Sequence, residues 1–286
     1  MSAGDVADSG ARTGSGGGVW SGIVPRVVLS PRYSADSIAI WQAALAIGWS
    51  TARVKHVEAE ALRGALEPEE VVIYGETLLA DAVAGALDLV LLEPPAAWLP
   101  RLPEALRLRD VRLCTLGEAR RTGAGKFIKP VDDKFFQARV YPVVDIDDVG
   151  DDLEALVAEP VRFGVEVRAL VCEGEIAGLS AYIRDGSIAR GDGDWPLTAQ
   201  EEAAARACLE RVIAEVEVPP AVVIDVGEIV GRGWAVVEAN PAWASGLCGV
   251  DPAAVLPVLR RACVARSRLV AEELRWARPR MACSLP

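Results

Sequence analysis

The chain predicts a mixed α/β fold, and three observations carry that prediction. Between residues 26 and 92 short apolar runs alternate with amphipathic stretches of about ten residues, the order of parallel β-α units. Residues 198–215 place apolar side chains at helical spacing behind a Thr-x-x-Glu start. Residues 222–226 and 234–237 are β-branched, apolar runs around a segment carrying Gly227, Gly231 and Gly233, which reads as an antiparallel hairpin with a long turn.

Taken in order, residues 26–30 form a strand, and 34–47 a helix with Ile38, Trp41, Ala44 and Leu45 on one side and Gly48 at its end. Strands follow at 52–55, 71–74 and 89–92, with helices at 58–66 and 76–86, and Pro94-Pro95 stops the series. A small parallel α/β lobe therefore occupies residues 23–100. The arginine-rich stretch 101–121 reads as a connecting helix and loop, closing an N-terminal unit at residue 120. Further strands are expected at 126–130, 155–161, 163–171 and 175–181. The helix at 198–215 starts from a capping box of Thr198 and Glu201. A last helix runs over 251–268, capped by Asp251 with Pro252 in its first turn. Residues 1–22 read as a disordered tail, and 278–286 as a loose one.

Composition narrows the function classes. The 286 residues suffice for two or three lobes with buried cores, and 51% of them are hydrophobic. A net charge of −11 argues against sequence-independent nucleic-acid binding and against docking on an anionic membrane. Six cysteines without a C-x-x-C suit reduced thiols in a cytoplasm. His56 is the single histidine, which excludes a Ser-His-Asp triad, a two-histidine metal site and a histidine phosphorelay. No apolar run is long enough to span a bilayer, and residues 1–22 lack the order of a signal peptide. The expectation is a cytoplasmic protein.

The hairpin carries the candidate chemistry. Strand alternation places Trp234, Val236, Glu238 and Asn240 on one face, beside Asp225 of the partner strand. Asp225, Glu238 and Asn240 form an all-oxygen cluster of the kind magnesium takes when phosphates complete its shell. The plainer reading is a structural hairpin whose polar residues cap a strand before the Asn240-Pro241 turn.

An Asp followed, about a dozen residues on, by a strand ending in Glu-x-Asn-Pro resembles the metal-binding end of the ATP-grasp fold. That fold includes D-alanine–D-alanine ligase, glutathione synthetase and the enzyme that adds glutamate to a ribosomal protein. Four further stretches extend the resemblance across roughly residues 120–270. Lys126-Phe127-Ile128-Lys129-Pro130 is similar to the family's lysine strand, which implies that Lys129 contacts nucleotide phosphates. Residues 130–136 depart from the family because they hold no glycine, so Lys134 would take over the phosphate contact that lid amides make elsewhere. A Lys-Pro…Lys-Phe stretch of this kind resembles a divergent clade that includes a eukaryotic cell-division-cycle assembly factor for translation initiation. Glu159, Pro160 and Val161 resemble the hinge that reads adenine; Pro160 has no N–H to donate, which leaves Val161 or the Glu159 carbonyl. The resemblance makes Glu166 the ribose contact. It places Arg168, on the same strand face, at the phosphates or reacting carboxylate. An exposed strand lysine and a cross-strand ion pair are the plain alternatives for Lys129 and for Glu166 with Arg168.

The resemblance implies two α+β lobes clamping ATP, preceded by the small parallel lobe, with the nucleotide fold over residues 121–277. It implies an ATP- and magnesium-dependent ligase joining a carboxylate to an amine or thiol through an acylphosphate, with Lys129 and Arg168 supplying fixed positive charge. The substrates could be small molecules, peptides or proteins. A non-catalytic ATP-binding assembly factor and a kinase on the same fold are the rival readings.

Overall fold

The computed structural model describes residues 24–131, 135–191 and 194–279. Strand β1 (Arg26–Leu29) pairs in parallel with β2 (Ser50–Arg53) on one side and β3 (Val71–Tyr74) on the other. Val27, Val28 and Leu29 have no solvent exposure, as the central strand of a parallel sheet requires. Helix α1 (Ala35–Ala46) opens from Ser34, whose side chain and that of Ser37 form a reciprocal capping box. Helix α2 (Thr77–Leu87) buries Leu79, Ala80 and Val83. The segment expected to be helical at 58–66 is instead a run of 3-10 turns at His56–Leu62.

Strand β4 (Leu89–Leu91) does not join the parallel sheet. It pairs antiparallel with β14 (Cys263–Ala265), a strand at the other end of the chain. The helix expected over 251–268 accordingly stops early, as α7 (Pro252–Ala262), because Cys263 to Ala265 supply the backbone groups that β4 needs. Cys263 also accepts the buried Ile73 N–H at 3.3 Å, which fixes the strand against the N-terminal sheet.

Short helices α3 (Trp98–Arg101) and α4 (Glu104–Arg107) lead to β5 (Val111–Thr115) and α5 (Leu116–Thr122). Strands β6 (Lys126–Pro130), β7 (Arg139–Tyr141) and β8 (Glu154–Ala158) complete an antiparallel sheet in the order β5-β8-β6-β7. Residues 111–122, read from sequence as part of the N-terminal connection, thus belong to this second lobe. Ile128, Ala155 and Val157 pack beneath α5, so alternation turns Lys129 to the opposite face.

The third body is a five-stranded sheet in the order β11-β10-β9-β12-β13. Its strands are β9 (Phe163–Cys172), β10 (Glu175–Arg184), β11 (Ser187–Ile188), β12 (Ala221–Ile229) and β13 (Gly233–Asn240). Helix α6 (Ala199–Glu215), with the expected Thr198–Glu201 box, covers one face through Ala205, Leu209 and Val212. Helix α7 covers part of the other. The hairpin turn is shorter than expected, since the strands continue to Ile229 and resume at Gly233.

Candidate active site

The β12–β13 register sets Asp225 opposite Glu238 and Val223 opposite Asn240. Val226 then pairs with Val236, so Val237 is an extra residue in β13, a β-bulge. This corrects the expected strand face. Trp234, Val236 and Ala239 point to the α6 side of the sheet, with Ile224 and Val226, whereas Glu238 and Asn240 share the other face with Asp225. The bulge resets the alternation between Val236 and Glu238.

Asp225 is fully buried. Arg168 lies across from it on β9 and donates from Nε to Oδ1 at 2.9 Å and from Nη2 to Oδ2 at 2.7 Å. The same guanidinium donates to the Gly246 carbonyl at 3.3 Å and stacks on the Tyr182 ring at 4.2 Å. Burial lifts the Asp225 carboxyl to about 6 against the pull of Arg168. Burial also disfavours the Arg168 charge, but the Asp225 carboxylate more than reverses this and holds the guanidinium above its ordinary range. At neutral pH the pair is ionic. Arg168 is only 6% exposed, a placement that makes it the holder of Asp225.

Lys129 reaches from β6 to donate to Glu238 Oε2. Asn240 donates its amide to Glu238 Oε1 at 2.9 Å and to Asp225 Oδ2 at 3.4 Å. Burial would raise the Glu238 carboxyl, yet the Lys129 ammonium overrides it and holds the group at about 2. Glu166, opposite Gly227 on β12, goes the other way: burial, then the Asp225 and Glu238 charges, push it to about 7. A side chain at position 227 would meet the Phe163 ring at 2.8 Å and Glu166 Cγ at 3.2 Å, so glycine makes room for both.

Lys129, Glu238 and Asn240 line a cavity of about 500 Å³ where all three bodies meet. Its walls include Thr77, Glu93, Trp98, Leu156 and Arg278. The expected hinge lies elsewhere: Glu159 pairs with Arg232 at 2.6 Å, and neither it nor Pro160 nor Val161 lines the cavity. Lys134 lies outside the described residues. Arg109 was not predicted. It is 7% exposed and donates to the Val236 carbonyl at 2.7 Å and the Val237 carbonyl at 2.8 Å. Its only sequence signal was membership of the arginine-rich stretch.

The donor chemistry fits a hard divalent cation at Glu238 and Asn240, both cavity-lining and able to offer oxygen; the Asn240 amide would need to turn over. Asp225 stands behind them, with both oxygens held by Arg168.

An antiparallel lobe facing a larger sheet across a charged cavity, behind a small parallel lobe, is the arrangement of the ATP-grasp fold. The RimK domain ATP-grasp protein of Sphaerobacter thermophilus DSM 20745 aligns with a TM-score of 0.51 and 20% identity, over 82% of this chain and 99% of that one. The N5-carboxyaminoimidazole synthase of Aspergillus clavatus, solved with ADP and 5-aminoimidazole ribonucleotide, aligns with a TM-score of 0.53 and 9% identity, over 83% and 77%. Residues 106–258 match the family model of an ATP-grasp domain, family 2 of its clade, and the chain belongs to that family. No curated protein matches it.

Proposed function

We propose that the protein is an ATP- and magnesium-dependent ligase that joins a carboxylate to an amine or thiol. The observation that carries this reading is the reach of Lys129 from one lobe to Glu238 of the other, beside Asn240, on the wall of the shared cavity. Lys129 neutralises phosphate charge, Glu238 and Asn240 hold magnesium, and Arg168 fixes Asp225 behind them. Magnesium bound there would offset the charge on the phosphate oxygens. The substrate carboxylate attacks the γ-phosphorus, ADP leaves with the bond electrons, and the acylphosphate is opened by the amine or thiol with loss of phosphate. Glu166 and the Glu159–Val161 segment are the proposed ribose and adenine contacts, and Lys134 the second phosphate contact.

One observation favours a second reading, a non-catalytic ATP binder: both acids of the cluster already have an internal cation, Arg168 for Asp225 and Lys129 for Glu238. Incubation with ATP, magnesium and paired carboxylate and amine candidates separates the two. A ligase releases phosphate and yields a joined product; a binder gives a thermal shift alone. In calorimetry Lys129→Ala should weaken ATP about tenfold or more, the worth of a charge-assisted contact, with adenosine unaffected. Absence of both heat and thermal shift with wild-type protein, ATP and magnesium would remove the nucleotide reading altogether.

A further inference from the structure

In a regular strand successive carbonyls point to opposite sides, so one side chain cannot ordinarily reach two in a row. Val236 and Val237 are consecutive, yet their carbonyls both accept from Arg109, from Nη1 at 2.7 Å and Nη2 at 2.8 Å. The bulge is what turns the two oxygens to the same side. β13 is an edge strand, and these oxygens lie on the edge that β12 does not pair. A planar guanidinium with two parallel N–H vectors matches two such acceptors; a single ammonium does not.

Arg109 is itself held in place. Its Nη1 also donates to the Arg107 carbonyl at 3.1 Å, and its guanidinium lies 5.3 Å from the Phe163 ring centroid. That ring occupies the space Gly227 leaves over β12. A buried cation is costly unless its donors are used, and burial draws the Arg109 guanidinium down to about 10. A solvated surface arginine would carry no such cost.

We propose that Arg109 is a positioning residue: it locks the Val237 bulge, and so fixes the aim of Glu238 and Asn240 at the mouth of the cavity. The two ligands follow the bulge by one and three residues, and a strand free to slide by one position would turn them toward the α6 side. This inference rests on the reading of Glu238 and Asn240 as the cation's holders.

The test compares full-length wild type with Arg109→Lys and Arg109→Met, using Arg107→Lys as the neighbouring control. Hydrogen exchange across residues 236–240 and manganese affinity in the presence of ATP are measured together. Arg109→Lys should raise exchange on 236–240 about tenfold and weaken manganese by a similar factor, the worth of one charge-assisted hydrogen bond. Exchange on β9 and β10, and affinity for adenosine, should stay at wild-type values, which a general loss of stability would not allow. Arg109→Met should do the same or more, and Arg107→Lys neither. Wild-type exchange on 236–240 in Arg109→Lys overturns the clamp, as does global unfolding of that variant, which would make the role a general one. If wild type binds no manganese with ATP, the cation reading fails on its own while the exchange result still decides the clamp.

Discussion

Glu166 keeps its proton far above the ordinary carboxylate range because it is buried beside Asp225 and Glu238. The unfolded chain gives that proton up near 4.5, the folded protein only near 7. The folded state therefore binds more protons across this window, and the stability Glu166 contributes is present below it and lost as pH rises through it. Asp225, lifted to about 6, acts in the same direction. Glu166→Gln removes the Glu166 share. The stability difference between variant and wild type should thus grow in the variant's favour from pH 4.5 to pH 7, as read by urea unfolding. A difference that stays flat over that range would mean the carboxyl is solvated. The cluster's members were legible residue by residue: Asp225, Glu238 and Asn240 do meet, with Lys129 and Arg168 beside them. Their pairing was not, since periodicity reports which face a side chain takes and says nothing of which charge is nearest.

At the scale of elements, α6 shows how a local code survives folding. Thr198 accepts from the Glu201 N–H at 3.2 Å, and Glu201 accepts from the Thr198 N–H at 2.9 Å. Glu201 is also paired with Arg184 of β10, which holds its carboxyl at about 2. Thr198→Ala should cost about 1 kcal/mol, the usual value of an N-cap, in equilibrium unfolding. Capping boxes are read easily because donor and acceptor lie within one turn. The elements that were missed are those with distant causes. β14 continues a helical pattern and becomes a strand only because β4, far back in the chain, needs a partner, a register seen in Cys263 opposite Leu91. The Val237 bulge is invisible because its extra residue is as apolar as its neighbours, and Arg109 because its partners are backbone carbonyls. β5 was hidden among arginines whose apolar neighbours, Val111 and Leu113, pair with β8.

In the whole molecule the C-terminal segment ties the first lobe to the third. Arg278, expected in a loose tail, donates to Asp81 at 2.8 Å and to Glu93 at 3.0 Å, and its own N–H meets the Leu91 carbonyl at 2.8 Å. Its side chain is 14% exposed and lines the cavity with Glu93. Arg278→Ala should lower stability by about 2 kcal/mol, in the range of charge-assisted hydrogen bonds, and speed proteolysis of the C-terminal segment. Unchanged proteolysis would leave β14 as the sole tie.

The β4–β14 pairing also bears on how the protein is born. Ile73 and the Cys263 thiol that accepts its N–H are 190 residues apart. At synthesis rates of about 5–20 residues per second, the first lobe waits roughly 10–40 s after Ile73 is made before its last strand exists. During translation that lobe is a sheet with an open side, and the ribosome-bound nascent chain has to be kept from pairing it with a neighbour.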